Sequence, residues 1–316
     1  MDMLAMLSVI GMLFLLLACG FICRRTGVID HTGSKKLSEL IIKVGQPFMI
    51  VSALSQQEYT TENLHLALIA TGIGIGMHVL TAAFAFFALK PVRNLDERKI
   101  CEFGTIFANT GFLGFPIMRA LFGEKGLFMA AFYIIGFNVL LWTWGIVVLG
   151  RGRSDIRMTA KKAFFNYGTI PCVIGFLVFL SRAWFGNYVI PDAISGFLNA
   201  LSNLCTPISV LVTGSLLATV RVRSFFERKS IWYLVAIKLL VWPVLVCLLA
   251  KLFRLPSMYA LFCTAMAALP SASTVAMLTE MYDIEPGYSS QIVGLTTLLF
   301  IGTLPLIMLM AQWIIT

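Results

Sequence analysis

The sequence predicts an all-α integral membrane protein of ten transmembrane helices, built as two inverted five-helix repeats with a broken fourth helix in each. Three observations carry this prediction. Of 316 residues, 59% are hydrophobic and only 12% are charged, whereas a soluble domain carries about 25% charged residues. Apolar runs of about 20 residues, enough to cross ~30 Å of hydrocarbon, recur from end to end. Basic residues gather in every second turn between these runs.

The first span, Met3–Cys23, is apolar throughout and is followed by Arg24-Arg25. A secretory signal would open on a basic region and have a shorter apolar core, so a retained membrane helix is expected here. Helix 2 is expected over Leu37–Ser55, helix 3 over Leu64–Leu89, helix 4 over Ile100–Leu121 and helix 5 over Gly126–Leu149. Helix 6 follows at Phe164–Leu180, helix 7 at Ala193–Val220, helix 8 at Ile231–Phe253, helix 9 at Met258–Met281 and helix 10 at Tyr288–Ile315. Residues 1–150 then form the first repeat, 151–162 a short cytoplasmic linker and 163–316 the second repeat. Ten spans use about 210 residues, which leaves no room for a soluble domain.

The charge distribution tests this layout. Turns 1–2, 3–4, 5–6 and 7–8 hold 17 of the 24 Lys and Arg residues. Basic turns stay in the cytoplasm, so both termini are expected outside. Five crossings per half invert the second half relative to the first. Pro47 in helix 2 and Pro207 in helix 7 match at a shift of 160, as do Ile41/Leu201, Val44/Leu204 and Ile50/Val210. The net charge of +9 is therefore loop asymmetry, and no nucleic-acid partner is expected. All seven cysteines lie in or beside apolar segments without C-x-x-C spacing, which reads as small buried hydrophobes. No metal cluster, cofactor motif, Walker motif or catalytic constellation is visible.

Function is expected at two breaks. Helix 4 contains Ala108-Asn109-Thr110-Gly111-Phe112-Leu113-Gly114-Phe115-Pro116, and helix 9 contains Ala268-Leu269-Pro270-Ser271-Ala272-Ser273-Thr274. Proline lacks an N–H and clashes with the preceding turn. Unwound backbone at membrane depth is tolerated only inside protein or beside a water-filled cavity. Interrupted helices at matching positions of two repeats point to a midplane site. The half-helices after Pro116 and Pro270 would present N–H groups and positive dipole ends, which suit an anion. A plain proline kink explains either break alone; both in register favour the site.

The run Asn109-Thr110-Gly111-Phe112-Leu113-Gly114-Phe115-Pro116 resembles the helix-4 signature of the auxin efflux carrier family, which includes bacterial malonate/malate-type carriers and plant PIN-formed proteins. Ala267-Ala268-Leu269-Pro270-Ser271 resembles its helix-9 partner, and Lys238-Leu239-Leu240-Val241-Trp242-Pro243 and Thr303-Leu304-Pro305 are also similar. The resemblance spans the chain. It implies the bile acid/sodium symporter-like fold, with helices 1, 2, 6 and 7 as a scaffold that forms a homodimer and helices 3–5 and 8–10 as a moving transport domain. The broken helices would cross beside the substrate. The plant branch often carries a long cytoplasmic loop between the halves; here it is about a dozen residues.

Asn109, Thr110, Gly111, Pro116, Pro270, Ser271, Ser273 and Lys238 are the expected substrate-binding positions. Asn109 and Thr110 either contact substrate or cap helix ends. The same two readings hold for Ser271, Ser273 and Thr274, with Ser271 the stronger contact candidate. Lys238 lies about 10 Å inside helix 8. An intramembrane lysine is costly, so it either serves the site or snorkels to the interface. Lys43 is expected to pair with Glu39 at i−4. Glu102 is read as pairing with Arg98 or Lys99, with proton coupling as the sharper alternative. Gln46 and Asn138 are expected to support the fold by interhelical hydrogen bonds, and Gly72/Gly76 to allow close packing of helix 3.

The expected function is secondary or facilitated transport of a small organic anion, a mono- or dicarboxylate, across a cell membrane by alternating access. H+ and Na+ are the coupling ions considered, and membrane lipid is the surrounding partner. The alternatives are an anion-conducting channel and a sodium-coupled symporter of a larger organic anion. An intramembrane enzyme would need an acid pair, or a nucleophile with its base, within the spans, and none is found.

Overall fold

The computed structural model describes residues 3–152, 165–219 and 227–315. Most of the linker expected at 151–162 lies outside the described residues. Those described form helices joined by short connections, with one isolated antiparallel bridge between Ala108 and Ser271.

Helix α1 is Met3–Arg25, α2 is His31–Ser55 and α3 is Thr61–Ala88. Helix α4, Leu95–Ile106, ends at the first break. The run Thr110–Leu149 turns at Gly123 (φ 66°, ψ −154°), which divides it into α5 (110–122) and α6 (124–149). Then come α7 (Thr169–Phe185), α8 (Asp192–Thr219) and α9 (Lys229–Leu252). Helix α10 (Ser257–Ala268) ends at the second break, and α11 (Ser273–Met281) and α12 (Pro286–Ile315) complete the fold. Seven helical runs among the described residues are long and apolar enough to cross a membrane, and α7 and α10 are shorter apolar helices. Large apolar side chains such as Leu15, Phe87, Leu177 and Trp313 face outward, as a hydrocarbon environment allows.

Helix starts follow local chemistry. Asp30 accepts from Gly33 N, Thr60 from Asn63 N, and Asn94 from Asp96 N and Glu97 N. Asp30 and Thr60 each occupy one, and Asn94 two, of the donors that a helix start leaves free. Pro47, Pro116 and Pro243 are each preceded by one wide π-turn, at Ile41–Gly45, Thr110–Gly114 and Ile237–Val241. Proline removes one donor and crowds the carbonyl four residues back, and a local widening relieves both.

One expectation about packing changes. A Cβ on Gly72 or Gly76 would meet nothing within 4 Å, whereas one on Gly74 would collide with the Tyr133 backbone. Reciprocally, a Cβ on Gly136 would lie 2.5 Å from Ile75 N. The close approach of α3 and α6 therefore rests on Gly74 and Gly136. Positions two apart on a helix point nearly opposite ways, so a contact at 74 turns 72 and 76 outward.

Candidate functional site

Breaking a helix frees carbonyls at one end and N–H groups at the other. In α4 these carbonyls find unusual partners. Gly104 O accepts from Ser271 Oγ (2.9 Å), and Thr105 O accepts from Lys238 Nζ (3.1 Å). Beyond α4, Phe107 O accepts from Ala272 N (2.9 Å), while Asn109 N donates to Pro270 O (2.8 Å). The two unwound segments thus cross antiparallel and exchange main-chain hydrogen bonds. Past the crossing, the starts of α5 and α11 bring two positive helix ends together.

Side chains tie the crossing to its neighbours. Asn109 Nδ2 donates to Ser273 Oγ (3.2 Å), which also bonds Thr213 Oγ1 of α8 (2.9 Å). Thr206 Oγ1 of α8 donates to Phe112 O (3.0 Å), and Ser271 N donates to Thr296 Oγ1 of α12 (3.3 Å). Beside the crossing lies a cavity of about 10 Å³, lined by Gln46 and Met49 of α2, residues 109–112, Ile134 and Phe137 of α6, and Ala272 and Thr274. It holds one water-sized group.

The expected positions divide into three sets. Asn109, Thr110 and Gly111 line the cavity, and so does Gln46. A Cβ on Gly111 would lie 2.9 Å from Met49 Cε and 3.2 Å from Ile134 Cδ1, so this wall has no room for a side chain. Pro270, Ser271 and Ser273 build the crossing itself, and Ala272 and Thr274 are the residues of that segment that line the cavity. Pro116 sits at the start of regular α5 geometry, beyond the π-turn.

Lys238 is not among the cavity-lining residues, and at 1% exposure it does not reach an interface. Its ammonium instead sits on the carbonyl end of α4, where the helix dipole is negative. Glu102, also buried, pairs with Arg98 (3.7 Å) and with Arg151 at the end of α6. Lys99 holds Asp96 (2.6 Å) and Arg151 O (3.0 Å) rather than Glu102. Lys43 pairs with Glu39 at 3.6 Å as expected. Gln46 and Asn138 bond each other, Nε2 to Oδ1, at 3.0 Å.

Sequence reading assigns no role to Thr206, Thr213 and Thr296. The hydroxyls carried one available signal, since Thr206 adjoins Pro207 and Thr213 adjoins Gly214 in an otherwise apolar helix. No group of three metal-ligating side chains occurs among the described residues.

The sequence pattern of a family described as "Membrane transport protein" matches residues 5–308. An uncharacterized transporter of Methanocaldococcus jannaschii is 22% identical over 301 residues, covering 92% of this chain and 94% of that protein. An uncharacterized transporter of Methanothermobacter thermautotrophicus is 25% identical over 305 residues, covering 95% and 96%.

Proposed function

The chain belongs to the membrane transport protein family, that of the auxin efflux carriers, and from this premise we propose that it is a secondary carrier of a small organic anion working by alternating access. The observation that carries the reading is the crossing of the two broken helices. Two helix N-termini meet there, each worth about half a positive charge, beside a cavity whose lining includes Gln46, Asn109, Thr110 and Thr274 but no carboxylate. A mono- or dicarboxylate matches this polarity. The cavity is too small for a carboxylate, so the conformation is closed around the site, and transport requires opening toward each side in turn.

In this reading the chain crosses the membrane ten times as two inverted repeats, 1–150 and 163–316. Each broken pair, α4 with α5 and α10 with α11, makes one crossing, and α6 and α7 make one each. Helices α1, α2, α7 and α8 form the scaffold of a homodimer, and the others move. Asn109, Ser273 and the segment around Pro270 hold the substrate end of the crossing, while Lys238 adds positive charge from behind α4. The protein acts in the cell membrane as a carrier rather than as an enzyme.

The test is a thermal-shift screen of purified protein against mono- and dicarboxylates, with and without Na+ and across pH, followed by counterflow in liposomes. At least one anion is expected to stabilise the protein and to drive saturable counterflow. Flux without saturation or counterflow would indicate a channel, and no response to any carboxylate would overturn the reading.

Two further results are expected. Asn109→Ala loses one neutral hydrogen bond and weakens binding of the best anion by about 0.5–1.5 kcal/mol, or about 2- to 13-fold. Unchanged affinity in folded protein would leave Asn109 with only its bond to Ser273. Single-cysteine labelling should find both termini outside and the Arg151–Lys162 turn in the cytoplasm; labelling of that turn from outside would reverse the topology.

A further inference from the structure

Gln46 of α2 lines the cavity beside the crossing and is 3% exposed. Its amide orientation follows from a chain of bonds that ends on the main chain. Asn138 Nδ2 donates to Ile134 O (3.0 Å), and a carbonyl can only accept. Asn138 Oδ1 is therefore the acceptor facing Gln46, and Gln46 Nε2 donates to it at 3.0 Å. Gln46 Oε1 is turned away from this bond, and it is buried without a protein partner. Gln46 lines the cavity and Asn138, which takes its Nε2, does not. A buried amide oxygen without a donor is costly, and such atoms in folded proteins call for an explanation.

The rest of the wall divides the work. The helix starts at the crossing suit the carboxylate of a substrate. Gln46 Oε1 can only accept, so it repels a second carboxylate and requires a hydrogen on whatever approaches it. We propose that Gln46 is a specificity-determining residue that accepts a hydrogen bond from a donor on the substrate, so that the transported anion is a carboxylate that also carries a hydroxyl. This inference rests on the anion-carrier reading above and adds to it which anions the site selects.

The experiment measures affinities of the purified protein for matched ligands: propanoate, 2-hydroxypropanoate and 2-methoxypropanoate, and the pair butanedioate and hydroxybutanedioate. The methoxy compound keeps the oxygen and removes the donor. At least one hydroxy compound is expected to bind about fivefold or more tightly than its deoxy partner, because leaving a buried acceptor unpaired costs about that much or more. The methoxy compound should bind no better than propanoate. In Gln46→Met, or in Gln46→Leu if the first is not monodisperse, the ratio should fall to about one while the deoxy compound still binds. A role confined to the fold would shift both affinities together and leave their ratio intact. Equal binding of hydroxy and deoxy compounds by the unaltered protein would overturn this inference and leave the anion carrier standing. A ratio that persists in the Gln46 variants would overturn the assignment to Gln46. No binding of any carboxylate would overturn both readings.

Discussion

Lys238→Gln should weaken binding of the best carboxylate about 15- to 20-fold while the protein stays folded, and Lys43→Gln should barely change it. The contrast comes from the surroundings of the two lysines. Lys238 is buried and donates to Thr105 O at the end of α4, the helix that leads into the crossing. Two unit charges ~10 Å apart at an effective dielectric of about 20 interact by ~1.7 kcal/mol, and an ammonium at that separation from the bound anion gives that factor. Glutamine keeps a donor for the Thr105 carbonyl and removes only the charge. Lys43 is half-exposed and pairs with an exposed Glu39 at 3.6 Å, where water and salt leave little net interaction. Lys238→Met makes the complementary test: it strands a buried carbonyl and should cost about 1–3 kcal/mol of stability besides. Affinity measured with each variant, alongside a melting curve, decides the matter. Equal, small losses for the two glutamine variants would mean that Lys238 serves only the end of α4.

Glu102→Ala should destabilise the protein by about 3 kcal/mol, the lower end for removing one partner of a buried pair. Glu102 is buried in α4 and holds Arg98 and Arg151, whose guanidinium groups retain some access to solvent and recover part of the loss. Lys99, three residues before Glu102, grips the Arg151 carbonyl, so two residues of α4 hold the chain just beyond the end of α6. Glu102→Gln keeps an oxygen that accepts from Arg151 and should recover about half of the stability. The variant also separates two roles. If Glu102 only joins α4 to α6, Glu102→Gln transports; if it carries the coupling proton, Glu102→Gln folds but loses pH-driven uptake. Unfolding in detergent and uptake under an imposed pH gradient read these outcomes directly.

Much of the site was legible in the chain because its cause is local. Polar residues, glycine and proline gather at Asn109–Pro116 and at Pro270–Thr274, and together they weaken a continuous helix at both places, whereas Pro207 and Pro305 alone leave α8 and α12 unbroken. The chain unwinds at both places, and the two breaks join. The pair Lys43–Glu39 followed from helical spacing alone, and so did the expectation that Gln46 and Asn138 bond between helices, although not that they bond each other.

What only the tertiary structure decided was rotation and register. Ser271 and Thr274 are three residues apart in one polar run, yet the first caps Gly104 O and the second lines the cavity. Gly74, not Gly72 or Gly76, meets the neighbouring backbone. Lys238 had a cavity and an interface as expected destinations and found a helix end instead, because the carbonyl it satisfies belongs to a segment 133 residues away. Length, apolar runs, basic turns and prolines are properties of each segment by itself, so the sequence determined a multi-pass membrane protein with two broken helices. Which face of each helix turns inward depends on partners distant in sequence, and nearly uniform apolar composition leaves that face unmarked until the helices pack.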